Sequence, residues 1–531
     1  NPDDIYARCS VEELLPGVMT PLTASTTLRA LDLGIQRMYS DIATLKTFRE
    51  QPWIYVYQCG YPFFNMSVVG GIGRTTISGD EKDAAEMACG EPVPGIIPGP
   101  LAPLSERLRN GLRFFNPLLL VNHVKKLQKL VVSIDLAPRR DAREMYAVID
   151  RELPKLAEAH YRHNSSSMLG AFAIGVLPRL LSKGAPPTAQ HSAETSRLLS
   201  GAKDVENYDI VSGVKRIVSA LVQHDGPQLD RFVGLDAQAA DRFLRHEASA
   251  SVQRAYTTHL ERHGHRCIRE LDMYAKDWAE DPTPVVKAVQ SGLQAVRAGG
   301  APVQKDKQIS VPLTLAPVVR LGWRGIRNRE TTKSQLVLAT ALFRRAYRTL
   351  ARQMVEEGLL PNEDLAFFLQ HAELAELLSN RDERLIETAI KRRAVLPYQE
   401  KLVFKRYYHG AIESIDPQRP SEEGILYGKP ASVGIARGRA RVVRTLDAVG
   451  DVQPGEILIA PVVDVGWTPT YATIAGFASD VGSAIAHGAV VAREFDIPLV
   501  INLKNATETF RTGDLVELDA YHGVLRRIPE D

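Results

Sequence analysis

"DVGSAIAHGAVVAREFDIPLVI" (residues 480–501) reads as three elements in quick succession: the end of a strand, a helix starting at His487, and the buried strand "IPLVI". Gly482, Ser483 and Gly488 flank the histidine with residues that let backbone approach another group closely. Ala489, Val490, Ala492 and Phe495 then give the helix one apolar side. His487 therefore falls in the first helical turn, where free backbone N–H groups and the positive end of the dipole favour an anion. On these residues alone, a packed structural histidine and a phosphate-carrying histidine both fit.

The same strand-and-helix grammar extends outward. "GRARVVRT" (438–445) and "GEILIAP" (455–461) are strand-like, a helix is expected after "GWTP" (466–469), and "DLVELDAYHGVLRRI" (514–528) reads as a terminal hairpin. Residues 424–531 thus predict a small α/β domain, set off by the polar, proline-containing stretch "SIDPQRPSEEG" (414–424). Upstream, residues 105–415 carry apolar positions at helical spacing, as in "SQLVLATALFRRAYRTLARQMVEEGLL" (334–360), a helix expected to close at Gly358. Residues 1–104 are rich in turn formers and read as an irregular mixed segment of the same region. Short strands are expected at 54–57 and 61–64, and "GGIGR" (70–74) as a turn. The fold class expected is multidomain α and α/β, a large mainly helical domain followed by a small α/β one.

Composition narrows the function classes. A chain of 531 residues with 44% apolar and 24% charged residues is too long for one core and of ordinary globular type. Its formal charge of +2 supplies no electrostatic reason to expect nucleic acid or an anionic membrane as partner. Cys9, Cys59, Cys89 and Cys267 are scattered without C-x-x-C spacing, so neither a disulfide framework nor a zinc site is expected, and a reduced, cytoplasmic setting is. No apolar run approaches membrane-spanning length, and "NPDDIYARCS" lacks signal-peptide character. The absence of an initiator methionine suggests a fragment or a processed form.

"GWTPTYATIAGFASDVGSAIAHGAVVAREFDIPLVI" (466–501) resembles the swivelling phosphohistidine domain of the phosphoenolpyruvate synthase and rifampicin phosphotransferase-like dikinases, and "GILYGKPASVGIARGRARVV" (424–443) resembles its start. The resemblance implies that His487 takes a phosphoryl group derived from ATP and passes it to an acceptor, a reaction chemically suited to a neutral imidazole. Two positions depart from the family pattern: Ser483 replaces a second glycine, and Ala486 replaces the serine before the histidine. "VEELLPGVMTPLT", "HLERHGHRCIRELDMYAKDWAEDP", "RNRETTKSQLVLATALFRRAYRTLARQMVEEGLL" and "LAFFLQHAEL" resemble the acceptor-binding domain of rifampicin phosphotransferases.

In that family the segment matching Arg329-Glu330-Thr331-Thr332-Lys333 lies beside the incoming histidine. The resemblance therefore implies roles for Arg329 and Lys333 in neutralising the phosphoryl group, and for Glu330 in accepting the hydroxyl proton. Read without it, the segment fits a solvated, charged helix start. "HGHR" (263–266) does not predict a metal pair, since histidines two apart on a helix diverge.

No ATP-grasp domain is recognised. ATP and Mg2+ are thus expected to act through such a domain, either upstream or as a separate subunit as in the phenol-phosphorylating relatives. The expected partner is a small hydroxylated organic acceptor. Pyruvate is not expected, since no barrel domain follows the histidine domain. The alternative is a catalytically silent relative that binds a small molecule or a protein.

Overall fold

The structure is a computed structural model that describes residues 3–529 except 10, 43–44, 46–47, 76–80, 90–91, 120, 184, 186–187, 200–205, 298–309, 416–423, 445–451, 464–469, 472 and 483–486. Two compact units form. One comprises Asn1–Leu169, Glu270–Ala275 and Thr331–Pro417; the other comprises Gly170–Arg269, Lys276–Glu330 and Gln418–Asp531.

The first unit combines helices with a four-stranded antiparallel sheet, in the order Tyr55–Gln58, Tyr61–Asn65, Ile5–Ala7, Tyr407–His409. The strands expected near 54–57 and 61–64 are present as a hairpin pairing Tyr55 with Phe64. The N-terminal hundred residues are more helical than expected. Pro21 starts a helix capped by Thr20, and helical backbone runs on through Arg29–Asp41 despite three threonines in its first turns. The expected turn at "GGIGR" is instead mostly helix, Met66–Gly73, because the Asn65 side chain accepts from the N–H groups of Ser67 and Val68 and caps it. Cys9 and Cys89 form a disulfide across 80 residues of sequence, which corrects the expectation of unpaired thiols. Packing of the helical stretch after Asn65 on strand Ile5–Ala7 brings together cysteines that no local spacing links.

In the second unit, helices Glu206–His224, Ala250–His263 and Thr283–Arg297 enclose a core containing Phe232, Phe243, Tyr256 and Trp278. Its C-terminal part is an eight-stranded sheet. Strands Ile435–Val442, Ile457–Val462, Gly476–Val481 and Leu499–Ile501 run parallel, with antiparallel strands at either side. Both faces of the parallel block are covered, by a cluster around Leu458, Phe477 and Val491 and another around Ile459, Ala478 and Phe510. This coverage explains the continuous apolar runs of these strands. The expected terminal hairpin pairs Val516 with Arg527. The stretch on which the helix expected after residues 466–469 falls lies partly outside the described residues, at 464–469 and 472.

Helix Ala316–Glu356 is 41 residues long. Arg329 to Lys333 therefore lie well inside a helix and not at a helix start.

Candidate functional site

His487 is the first residue of helix His487–Glu494, as the sequence predicts, and the helix follows strand Gly476–Val481. With strand Gly476–Val481 before it and the parallel strand Leu499–Ile501 after it, the helix has its N-terminus at the carboxyl edge of the sheet, where α/β folds bind ligands. The His487 side chain, Ser483 and Ala486 lie outside the described residues.

Close packing fixes the helix start. A Cβ on Gly488 would lie 1.7 Å from Val463 Cγ1 and 2.5 Å from the Tyr471 hydroxyl oxygen, so only glycine fits beside the histidine. Just after strand Gly476–Val481, a Cβ on Gly482 would lie 2.8 Å from Ile501 Cγ2. The Gly482 N–H donates to Asn502 Oδ1 at 3.0 Å. Asp480, buried at the end of the strand, accepts from the Thr507 N–H at 3.2 Å and from its hydroxyl. Burial pushes the Asp480 carboxyl up to about 6, against the lowering effect of those hydrogen bonds. Asp480, Asn502 and Thr507 thus tie the approach to His487 to the loop beyond the next strand; sequence reading missed all three.

Within the same unit, the His487 helix shares an apolar cluster with other helices. Val490 joins Leu177, Leu198, Leu199, Val319 and Ile326. The Lys215 ammonium stands 5.0 Å from the centre of the Phe495 ring. Trp323 Nε1 donates to the Leu198 carbonyl at 3.0 Å, fastening this part of the long helix to helix Ala189–Leu199. Val490 is one turn beyond His487, and Ile326 is one turn before Arg329 and Glu330. The helices carrying the predicted carrier and two of its predicted partners therefore meet in one cluster. Arg329 Nη1 donates to Glu330 Oε1 at 2.5 Å, and the Glu330 side chain is only 1% exposed.

Lys333 belongs to the first unit. Its ammonium is 3.7 Å from Glu270 Oε2, with both side chains largely buried. Arg344 holds the segment bearing Glu270, donating from Nη2 to the Glu270 carbonyl at 2.7 Å and from Nε to the Asp272 carbonyl at 3.0 Å. Arg348 Nη2 donates to the carbonyls of Tyr274 and Ala275. Thr23 adds a hydroxyl bond to Asp272 Oδ1 at 2.6 Å. Beside Lys333 in sequence, Thr332 Oγ1 is 3.1 Å from His163 Nδ1. Glu270 and His163 went unnoticed in the sequence, since neither lies at a telling spacing from Lys333.

Of the "HGHR" residues, His263 ends its helix and sits 2.9 Å from Asp209 Oδ2. Burial pulls His263 down to about 4 and His259, whose ring lies beside it, to about 3. These are neutral core histidines. Among the described residues no group of three or more His, Cys, Asp or Glu side chains is arranged to hold a metal, and no step is assigned to one in these residues.

Comparison with known proteins matches these features to one class. The mobile domain of PEP-utilising enzymes matches residues 452–523, and the fourth domain of rifampicin phosphotransferase matches residues 162–342. These two stretches are therefore similar to the mobile domain of PEP-utilising enzymes and to a domain of rifampicin phosphotransferase. An uncharacterised protein of Mycobacterium tuberculosis is 27% identical over 98% of this chain and 61% of its own length. The prodigiosin synthesizing transferase PigC of Serratia marcescens is 27% identical over 52% of this chain and 34% of its own. The rifampicin phosphotransferase of Bacillus subtilis is 25% identical over 55% and 36%. The chain thus spans about three fifths or less of the length of these relatives.

Proposed function

We propose that this chain supplies the acceptor-binding and phosphohistidine portions of a dikinase-type phosphotransferase. Residues 105–415, with the mixed segment 1–104, form its acceptor-binding region, and residues 424–531 form its swivelling domain. The observation that carries this reading is the shared cluster of Val490 and Ile326, which packs the His487 helix against the stretch leading into Arg329 and Glu330.

The His487 imidazole attacks a phosphorus of ATP bound in an ATP-grasp domain and holds the phosphoryl group through a P–N bond; P–O bonds of ATP break, one water is consumed, and AMP and phosphate leave. That domain supplies Mg2+ and is joined upstream or provided by a partner subunit. The helix N-terminus stabilises the phosphoryl charge. The hydroxyl of a small organic acceptor then attacks phosphorus, the P–N bond breaks, and the proton leaves to a carboxylate, for which Glu330 is the candidate. Arg329 and Lys333 offset the charge on the oxygens in flight. Separating the sites lets each half-reaction have its own geometry.

The second reading is a catalytically silent relative, favoured by Ala486, which removes a hydroxyl beside the carrier. Labelling distinguishes the two. Incubation with ATP, Mg2+ and a relative's ATP-grasp domain gives an acid-labile, base-stable phosphate on the carrier, whereas no label forms on the silent protein.

A further inference from the structure

Over residues 104–113, helix Leu104–Leu119 is turned inside out relative to an ordinary surface helix. Leu104, Leu108 and Leu112 recur every fourth position on one face and are 65%, 52% and 78% exposed. The inward face carries Asn110, which is 2% exposed and donates to the Thr75 carbonyl at 3.1 Å. This helix packs on Arg29–Asp41 in the same unit. Ile97 and Leu101, just ahead of it, are also exposed. A soluble surface helix orients the other way.

Charge identifies what this face suits. Residues 104–132 contain Arg107, Arg109, Arg113, Lys125, Lys126 and Lys129 against one acid, Glu106. Arg107 flanks the leucine stripe on one side, and Arg109 and Arg113 flank it on the other. The three lysines belong to helix His123–Val132 and are exposed, as is Val132 at its end. A net charge of +2 over the whole chain conceals this local excess. Exposed leucines bordered by cations are the pattern of a helix lying in the plane of an anionic lipid surface. No helix among the described residues is long and apolar enough to cross a membrane.

We infer that helix Leu104–Leu119, with the lysines of His123–Val132, is a peripheral docking surface for anionic lipid, the leucines entering the acyl boundary and the cations meeting headgroup phosphates. The inference does not depend on the phosphotransferase reading.

Co-sedimentation of the full chain with vesicles of phosphatidylcholine and phosphatidylglycerol tests it, with pure phosphatidylcholine as control. The chain binds the anionic vesicles, binding weakens with salt, and it falls about tenfold or more in the triple variant Leu104→Gln, Leu108→Gln, Leu112→Gln. The variant Lys125→Gln, Lys126→Gln, Lys129→Gln falls by a similar factor. All six positions are exposed, so unchanged circular-dichroism melting separates lost binding from lost folding. Absence of binding to anionic vesicles, or binding that the leucine variant leaves intact, overturns the inference. Dimerisation abolished by the leucine variant, without vesicle binding, also overturns it and assigns the face to a second copy.

Discussion

Glu270 sets its carboxylate 3.7 Å from the ammonium of Lys333, and neither side chain has more than 12% of its surface in water. An ammonium enclosed beside a carboxylate in this way is held in place. Under the proposed mechanism its work lies in the second half-reaction. Lys333→Ala and Glu330→Gln are therefore expected to leave phosphorylation of His487 intact while slowing transfer to the acceptor by on the order of 10² to 10³. Single-turnover chase of the labelled chain measures this, and equal losses in both half-reactions contradict the division.

His487→Asn is expected to abolish the acid-labile label altogether. Label surviving in this variant would assign the carrier role to another residue.

Asp480 makes a pH prediction. Its folded-state value of about 6 lies above the ordinary 3.8, so the folded state binds its proton more tightly than the unfolded state does. The stability this contributes is fully present below pH ~4 and is lost as pH rises through about 6, a difference on the order of 2–3 kcal/mol. Asp480→Asn removes that titration. Denaturant midpoints between pH 4 and 7 should show a shallower decline in the variant; parallel slopes would exclude Asp480 as the source.

Gly488→Ala is expected to destabilise the α/β part by about 1–3 kcal/mol, because the new methyl overlaps Val463 and crowds Tyr471. Thermal melting checks this, and an unchanged midpoint would show that Val463 moves aside freely.

The sequence carried the α/β part unusually well. Strands such as Ile457–Val462 are buried on both faces, so their apolar runs are unbroken. The helix start at His487 is marked by its small neighbours. Arg329 to Lys333 were recognisable through resemblance, but not their place deep inside a helix, because charged residues suit a helix interior as well as its end. Three features were hidden for a common reason. The Cys9–Cys89 bond, the carbonyl clamp by Arg344 and Arg348 that presents Glu270, and the Asp480–Thr507 contact all join residues far apart in sequence. Local periodicity carries no trace of such meetings. The helix at Arg29–Asp41 was obscured differently, by a threonine-rich lead-in with weak helix propensity that tertiary packing overrides.

The parallel block beneath His487 also sets a time scale. Amides paired between Leu458–Ala460 and Phe477–Ser479 are enclosed by apolar residues above and below. Such amides exchange with solvent deuterium only through cooperative opening of the whole sheet. The histidine helix is thereby anchored to the part of its domain expected to exchange most slowly, so the swing proposed for this domain would carry the helix as a rigid passenger and leave the protection of these strands unchanged.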